Sequence, residues 1–112
     1  MEKLFTYGSL QSRSVQLSIY GRVVESHSDA ISGYRIRTVT VKDWKHADVN
    51  GSIQKTIEPG DGEIDGIVLL LTVEELKRTD EYEPKGYVRI KLPIKSGGEA
   101  WVYRLATSTN RL

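Results

Sequence analysis

The chain lacks cysteine entirely and contains one phenylalanine, one methionine and three prolines among its 112 residues. Without cysteine there is no disulfide, no thiolate-bound metal and no cysteine nucleophile. The absence of thiols fits a reducing compartment, and we expect a cytoplasmic protein. The two histidines, His27 and His46, lie far apart in the sequence and form no metal-ligand pattern, so we expect no metal site.

Long apolar runs and an excess of charge of one sign are also lacking. No stretch approaches the roughly 20 apolar residues that cross a membrane, and no apolar leader precedes the first predicted strand. The 16 basic and 15 acidic residues leave a net charge of +1, without the basic clusters that bind nucleic acid. We therefore expect a small-molecule substrate as partner, neither nucleic acid nor membrane, and a monomer or weak homodimer. The length and 38% hydrophobic content predict one domain over residues 1–112.

The hydrophobic pattern predicts several strands and two short helices. An apolar strand is predicted over residues 3–7 and a short helix around residues 15–20. The continuous apolar run at 67–71 predicts a strand buried on both faces, which we expect to be the central one. Alternating polar and apolar residues predict further strands over residues 31–41, 87–95 and 100–105. Turn residues dominate positions 42–62, where Asn50 and Gly51 predict a hairpin turn.

A helix start is indicated by Thr72 and Glu75, which form the Ser/Thr-x-x-Glu pattern of a capping box. The helix is predicted over residues 73–80, and Pro84 cannot continue it. Glu83 should therefore lie just beyond the helix C-terminus. The helix dipole is unfavourable for a negative charge there, which raises the pKa of a carboxyl group and favours proton transfer near neutral pH.

The segment Tyr7-Gly8-Ser9-Leu10 follows the first predicted strand. A glycine at the strand end lets a ligand approach the backbone without a Cβ in the way. Consecutive N–H groups after such a break form a concave site for anions. This segment therefore predicts a binding site for a carboxylate substrate.

These motifs occur with others in a definite order along the chain: Tyr7-Gly8-Ser9-Leu10, Asp65-Gly66-Ile67-Val68, Asp80-Glu81-Tyr82-Glu83, Tyr87-Val88-Arg89 and Val102-Tyr103. Together they resemble the gamma-glutamylcyclotransferase-like superfamily, and most closely its small gamma-glutamylamine cyclotransferase branch. The resemblance extends over nearly the whole chain. It implies an α+β fold, namely a small mixed β-barrel of about five to seven strands with flanking short helices and a cavity near one mouth of the barrel.

The resemblance also implies a reaction. Enzymes of this kind convert a small γ-glutamyl amine or amide to 5-oxoproline and a free amine, because the α-amino group of the substrate attacks its own side-chain carbonyl. No cofactor takes part. The resemblance gives Glu83, the last residue of Asp-x-Tyr-Glu, the role of general base and then general acid. The residues that it implies for substrate binding are Tyr7, Gly8, Ser9, Leu10 and Tyr103.

Each of these residues also has a purely structural interpretation. A tyrosine on a strand is more often a packing residue, a Gly-Ser pair is a common turn, and a lone glutamate at a helix end is mostly solvated. Asp80 and Glu81 compete with Glu83 as the proton acceptor. Asp80 can instead bind backbone groups near the helix end.

Two features depart from the family pattern and leave the substrate open. Pro84 stands where relatives often have glycine, and residues 50–59 replace a Tyr-Pro motif. The alternative function is a non-catalytic binding module for a small carboxylate ligand or a protein partner, which would use the same cavity. A structural or assembly domain is a third possibility. An enzyme is favoured if Glu83 faces the loop at residues 7–10 from inside a pocket.

Overall fold

The computed structural model describes residues 1–40 and 53–106. In these residues five strands form one mixed sheet, accompanied by two α-helices and a short 3-10 turn. The elements are β1 (Glu2–Thr6), the 3-10 turn (Ser9–Gln11), α1 (Arg13–Tyr20), β2 (Ser26–Thr40), β3 (Ile53–Leu71), α2 (Val73–Tyr82), β4 (Tyr87–Pro93) and β5 (Glu99–Leu105). The predicted α+β class is confirmed, and the sheet curls into a half-barrel.

Strand β1 occupies the middle of the sheet, whose order is β2-β3-β1-β5-β4. It pairs antiparallel with β3 along its whole length and parallel with β5 at Leu4 and Phe5. The expectation that residues 67–71 form the central strand is wrong. They are the part of β3 that pairs with β1, one place from the centre, and they are apolar because both faces of the sheet are covered.

Alternate side chains of β1 enter two hydrophobic cores. Leu4 belongs to the core that α1 and α2 cover, together with Leu69 of β3. Phe5 belongs to the core on the opposite face, which is formed mainly by side chains of the curled sheet itself. Both Leu4 and Phe5 are at most 1% exposed. Because burial of such a side chain is worth about 1.5–3 kcal/mol, the two cores fix β1 firmly.

Hydrogen bonds connect β2, at one edge of the curled sheet, to the turn that follows β4 at the other edge. The Lys95 N–H donates to the Ala30 carbonyl at 2.9 Å, and the Ser96 N–H donates to the Asp29 carboxylate at 3.1 Å. Burial alone would raise the pKa of Asp29, but hydrogen bonds from Ser96 and Ala30 outweigh it and lower the pKa to about 2. These bonds connect the two ends of the half-barrel.

Strands β2 and β3 are longer than the sequence predicts. β2 begins at Ser26, and β3 begins at Ile53 within the stretch that we predicted as turns. That prediction is wrong for residues 53–62, which belong to β3. Residues 53–59 pair with β2, and residues 60–62 continue the strand at a shift in register. The predicted Asn50-Gly51 turn lies outside the described residues.

The far ends of β2 and β3 form a two-stranded arm that pairs residues 34–40 with residues 53–59. The register shifts between Ser32 and Tyr34, at the base of the arm. The arm contacts the last strand, since the Leu105 N–H donates to the Thr56 hydroxyl at 2.8 Å. The start of β3 is thereby held against β5.

The predicted capping box at the start of α2 is confirmed. The Glu75 N–H donates to the Thr72 hydroxyl at 3.1 Å, and the Thr72 N–H donates to the Glu75 carboxylate at 2.9 Å. Arg22 donates twice to the same carboxylate, at 2.8 Å each, and so ties α2 to the chain after α1. The helix runs to Tyr82, which places Glu83 at its C-cap. Among the described residues, no helix is long and apolar enough to cross a membrane.

Close contact between β3 and β1 leaves no room for a side chain at Gly66. A Cβ there would lie 2.3 Å from the Thr6 carbonyl oxygen and 2.8 Å from Phe5 Cζ. We expect Gly66→Ala to lower the free energy of unfolding by about 2–3 kcal/mol in urea denaturation. Gly8→Ala is the control, because a Cβ at Gly8 meets nothing within 4 Å. Equal losses in the two variants would contradict this packing of β3 on β1.

Candidate functional site

A cavity of about 250 Å³ opens beside the end of β1. Its walls come from the loop after β1, the start of β3, the end of α2, and strands β4 and β5. The residues that line it are Phe5, Thr6, Tyr7, Gly8, Ser9, Leu10, Gln11, Ile53, Gln54, Lys55, Tyr82, Glu83, Pro84, Tyr87 and Tyr103. All six site residues named from the sequence are among them, whereas Asp80 and Glu81 are not.

Glu83 reaches the cavity because α2 ends at this point. Its backbone is extended, with φ −65° and ψ 147°, and its N–H donates to the Thr79 carbonyl at 3.0 Å. Pro84 blocks a further helical turn. The Tyr87 N–H then donates to the Pro84 carbonyl at 3.0 Å, and Gly86 has a φ of 96° that favours glycine. This turn leads the chain into β4 and leaves Glu83 on the cavity wall.

The Glu83 carboxyl group has no hydrogen-bond donor within residues 1–40 and 53–106. Burial raises its pKa, and the negative charge of Asp80 raises it further, to about 8. Burial and the charge of Asp80 thus raise the pKa of Glu83, whereas our sequence analysis attributed a raised pKa to the helix dipole. A carboxyl group with this pKa can both accept and return a proton near neutral pH.

Asp80 lies in a different environment, although it is only one helical turn from Glu83. Arg89 donates to both of its carboxylate oxygens, at 2.7 and 3.0 Å, and the Tyr103 hydroxyl donates to one of them. Burial alone would raise the pKa of Asp80, but these hydrogen bonds outweigh it and lower the pKa. Asp80 therefore remains ionised at neutral pH.

The hydroxyl protons of Tyr7 and Tyr103 are engaged within the protein. Tyr7 donates to the Tyr103 carbonyl at 2.7 Å, and Tyr103 donates to Asp80. Burial raises the pKa of both phenols well above its usual value, so both are neutral. Their oxygens can still accept a hydrogen bond from a ligand, but their protons are directed away from it.

The loop after β1 presents backbone N–H groups. Those of Ser9 and Leu10 have no acceptor among the described residues, and the Gly8 N–H makes only a long bond of 3.4 Å to the Thr6 hydroxyl. Free N–H groups are normal at the start of a helical turn and can bind an anion. The loop is therefore able to hold a carboxylate or an oxyanion.

A buried glutamine, which sequence analysis missed, fixes this loop from behind. Gln16 is 3% exposed; its amide nitrogen donates to the Leu10 carbonyl at 2.9 Å, and its amide oxygen accepts from the Val24 N–H at 3.1 Å. Gln16 lies on α1, which confirms the predicted short helix and is capped by Ser12 and Gly21. An isolated glutamine gives no local sequence signal for such a role.

Sequence analysis also missed the cavity wall opposite the loop. Lys55 lies in the stretch predicted as turns, and its carbonyl accepts from the Tyr87 hydroxyl at 3.0 Å across 32 positions of sequence. Tyr82 shares a hydrogen bond of 2.8 Å with the Ser9 hydroxyl. Tyr82 directly precedes Glu83 in the sequence, and this adjacency could have indicated that Tyr82 also lines the site.

Within the described part of the chain, no group of three or more histidine, cysteine, aspartate or glutamate side chains could hold a metal ion. The imidazole Nε2 of His27 lies 3.0 Å from an Asp29 carboxylate oxygen. His46 lies outside the described residues.

The chain matches the protein-family model described as "Gamma-glutamyl cyclotransferase, AIG2-like" over residues 4–111. Because the match covers nearly the whole sequence, the chain belongs to this family, and the resemblance to the superfamily is confirmed. Assignment to its gamma-glutamylamine branch stays a prediction. A comparison with curated protein sequences gave no match.

Solved structures share the fold at low sequence identity. A solution structure from Arabidopsis thaliana has a TM-score of 0.74 and 23% identity, over 98% of this chain and 72% of its own. A second Arabidopsis thaliana structure has a TM-score of 0.70 and 17% identity, over 97% and 64%. A structure named gamma-glutamyl cyclotransferase has a TM-score of 0.68 and 20% identity, over 95% and 66%. The chain thus spans about two thirds of the length of these structures.

The raised pKa of Glu83 predicts a pH dependence of stability. A carboxyl group with a pKa of about 8 in the folded protein, against 4.5 in the unfolded chain, holds its proton more tightly when folded. Its ionisation therefore favours unfolding progressively as the pH rises from 4.5 to 8. Glu83→Gln cannot ionise, so the variant should gain stability relative to the parent over that range.

The measurement is urea denaturation of the parent, Glu83→Gln and Glu81→Gln at several pH values from 4.5 to 8.5, the range that brackets the Glu83 titration. Glu81→Gln is the matched control, since it removes an exposed carboxylate that does not line the cavity. A constant difference between Glu83→Gln and the parent across this range would contradict the raised pKa.

Proposed function

We propose that this protein is a gamma-glutamyl cyclotransferase that converts a small γ-glutamyl amine or amide to 5-oxoproline and a free amine. The observation that carries the proposal is the position of Glu83: its carboxyl group lies on the cavity wall without a hydrogen-bond donor among the described residues, and burial raises its pKa to about 8. The loop that can bind an anion lines the same cavity. Membership of the family supports this reaction class.

In the proposed complex the γ-glutamyl group lies between this loop and Glu83. The N–H groups of Ser9 and Leu10, which have no acceptor in the described part of the chain, bind the α-carboxylate of the substrate or the oxyanion that forms at its γ-carbonyl. Tyr7 and Tyr103 enclose the glutamyl chain. The amine and the carbonyl belong to one molecule, so the main task of the protein is to hold them in a ring-closing conformation, which is worth several kcal/mol.

The reaction requires a group that can first accept a proton and then donate one. The α-ammonium group carries three protons, of which the lactam nitrogen of 5-oxoproline keeps one and the leaving nitrogen gains two. Glu83 as carboxylate takes a proton from the ammonium group, which frees the lone pair for attack on the γ-carbonyl. Protonated Glu83 then gives that proton to the leaving nitrogen as its bond to carbon breaks. The ring nitrogen loses its second proton to the Glu83 carboxylate or to solvent, and the released amine takes up the equivalent proton to become an ammonium ion.

The dimensions of the cavity support a small substrate. Its volume of about 250 Å³ lies just below the range of roughly 300–1,000 Å³ that is typical of ligand pockets. Opposite the loop, the arm and Tyr87 limit the space that is left for the amine. The half-buried position of Glu83 favours an enzyme over a module that binds a small carboxylate, because the negative charge of an ionised Glu83 would repel such a ligand.

The test is release of 5-oxoproline, followed by mass spectrometry, from a panel of γ-glutamyl amines, amides and dipeptides. Glu83→Gln keeps the shape of the side chain but cannot transfer a proton. We expect it to lower kcat by about 10²–10⁴-fold, with a smaller change in KM. Glu81→Gln removes a neighbouring carboxylate and should retain the parental rate. Equal rates in the parent and in folded Glu83→Gln would contradict the role of Glu83.

Substrates with a blocked α-amino group test the ring-closing step itself. An N-acetylated γ-glutamyl amide has no basic lone pair for attack and should release neither its amine nor a cyclic product. Amine release from this compound would indicate hydrolysis instead. If folded protein binds γ-glutamyl compounds in the cavity and turns over none of the panel, the binding-module alternative is supported.

A further inference from the structure

Hydrogen bonds of Asp80 join the end of α2 to the sheet, and we call Asp80, Arg89 and Tyr103 together the clamp. Arg89 of β4 binds both carboxylate oxygens, and Tyr103 of β5 donates its hydroxyl to one of them. The backbone carbonyl of Tyr103 accepts from the Tyr7 hydroxyl at 2.7 Å. Tyr103 therefore links Asp80 to the start of the anion-binding loop.

The clamp is itself anchored on the sheet. The Arg89 guanidinium lies 4.4 Å from the centre of the Trp101 ring, and the Lys91 ammonium lies 4.9 Å from it. Trp101 donates its indole N–H to the Glu2 carboxylate at 3.0 Å. These contacts fix the guanidinium group, so Asp80 has little freedom to move away from Glu83.

Asp80 supplies the negative charge that acts on Glu83. Within residues 1–40 and 53–106, the other titratable groups that interact with Glu83 are phenols from β4, β5, both helices and the residue after β1. All have a raised pKa: Tyr7, Tyr20, Tyr82, Tyr87 and Tyr103. They are neutral between pH 5 and 9, a range well below the usual phenol pKa of about 10. Lys55 of β3 is the one cationic residue on the described cavity wall.

We propose that Asp80 is a positioning residue for the proposed reaction: held in its charged form by Arg89 and Tyr103, it fixes the end of α2 and makes Glu83 the carboxyl group that takes up the proton. The inference rests on the proposed function for its catalytic meaning. Two carboxyl groups in unlike environments divide the tasks between them, one remaining charged while the other exchanges protons. Asp80 does not line the cavity, so its effect on the reaction is indirect and is exerted on Glu83.

The test begins with the free protein, in which carboxyl ¹³C shifts of labelled aspartate and glutamate are followed by NMR as a function of pH. In the parent, Asp80 should remain ionised from pH 5 to 9 while Glu83 titrates near 8. Asp80→Asn removes the charge and keeps the shape, so the Glu83 midpoint should fall by roughly one pH unit. Glu81→Gln removes one carboxylate next to Asp80 and should leave the midpoint in place.

Kinetics then test the consequence for the reaction. The pH at which kcat/KM reaches half of its maximum should fall in Asp80→Asn by the same amount as the Glu83 midpoint, and it should be unchanged in Glu81→Gln. Asp80→Glu restores a charge and should return the midpoint toward the parental value. A purely structural Asp80 would lower kcat in Asp80→Asn without moving the profile.

The two proposals fail in distinguishable ways. An active enzyme whose Glu83 midpoint is the same in the parent and Asp80→Asn would overturn the role of Asp80 and leave the reaction intact. Failure to release 5-oxoproline, with the midpoint shifted as expected, would overturn the reaction alone. If Asp80→Asn does not fold, the parental titration decides: an Asp80 that takes up the proton near neutral pH in place of Glu83 overturns the inference, and an ionised Asp80 beside a titrating Glu83 supports it.

Discussion

Burial of β1 is the constraint on which the rest of the structure depends. Hydrogen bonds to β3 and β5 occupy its two edges, and the two cores cover its faces. A strand enclosed in this way cannot change its register without exposing Leu4 or Phe5 to water. The loop that follows β1 therefore emerges at a fixed place, opposite the end of α2, and the cavity forms between them.

On the cavity wall, the Glu83 carboxyl group has no hydrogen-bond donor among the described residues, whereas the side chains nearest to it are hydrogen-bonded. A half-buried carboxylate without a donor is unfavourable, so Glu83 takes up a proton at a pH where most glutamates are ionised. Its neighbours Tyr7, Tyr103 and Asp80 all have hydrogen-bond partners within the protein. Such a contrast is typical of sites where a proton is transferred, because the surrounding structure maintains the unfavourable environment of one group.

The sequence was sufficient for features that depend on neighbouring residues. The capping box of Thr72 and Glu75, and the helix end before Pro84, predicted the place of Glu83 correctly. Contacts between distant segments could not be predicted in this way. The start of β3 at Ile53 depends on pairing with β2, and the hydrogen bonds that hold Asp80 come from two later strands. Local turn propensity was misleading for β3 because cross-strand pairing outweighs it.

A crystal structure of Glu83→Gln with an uncleaved γ-glutamyl amide would test directly whether Glu83 faces the reacting amine. We expect the substrate to lie in the cavity, with its α-amino nitrogen about 3 Å from the side chain at position 83. An oxygen of its α-carboxylate or γ-carbonyl should accept from the N–H groups of Ser9 and Leu10. A substrate bound outside the cavity, or one whose amino group points away from position 83, would contradict this expectation.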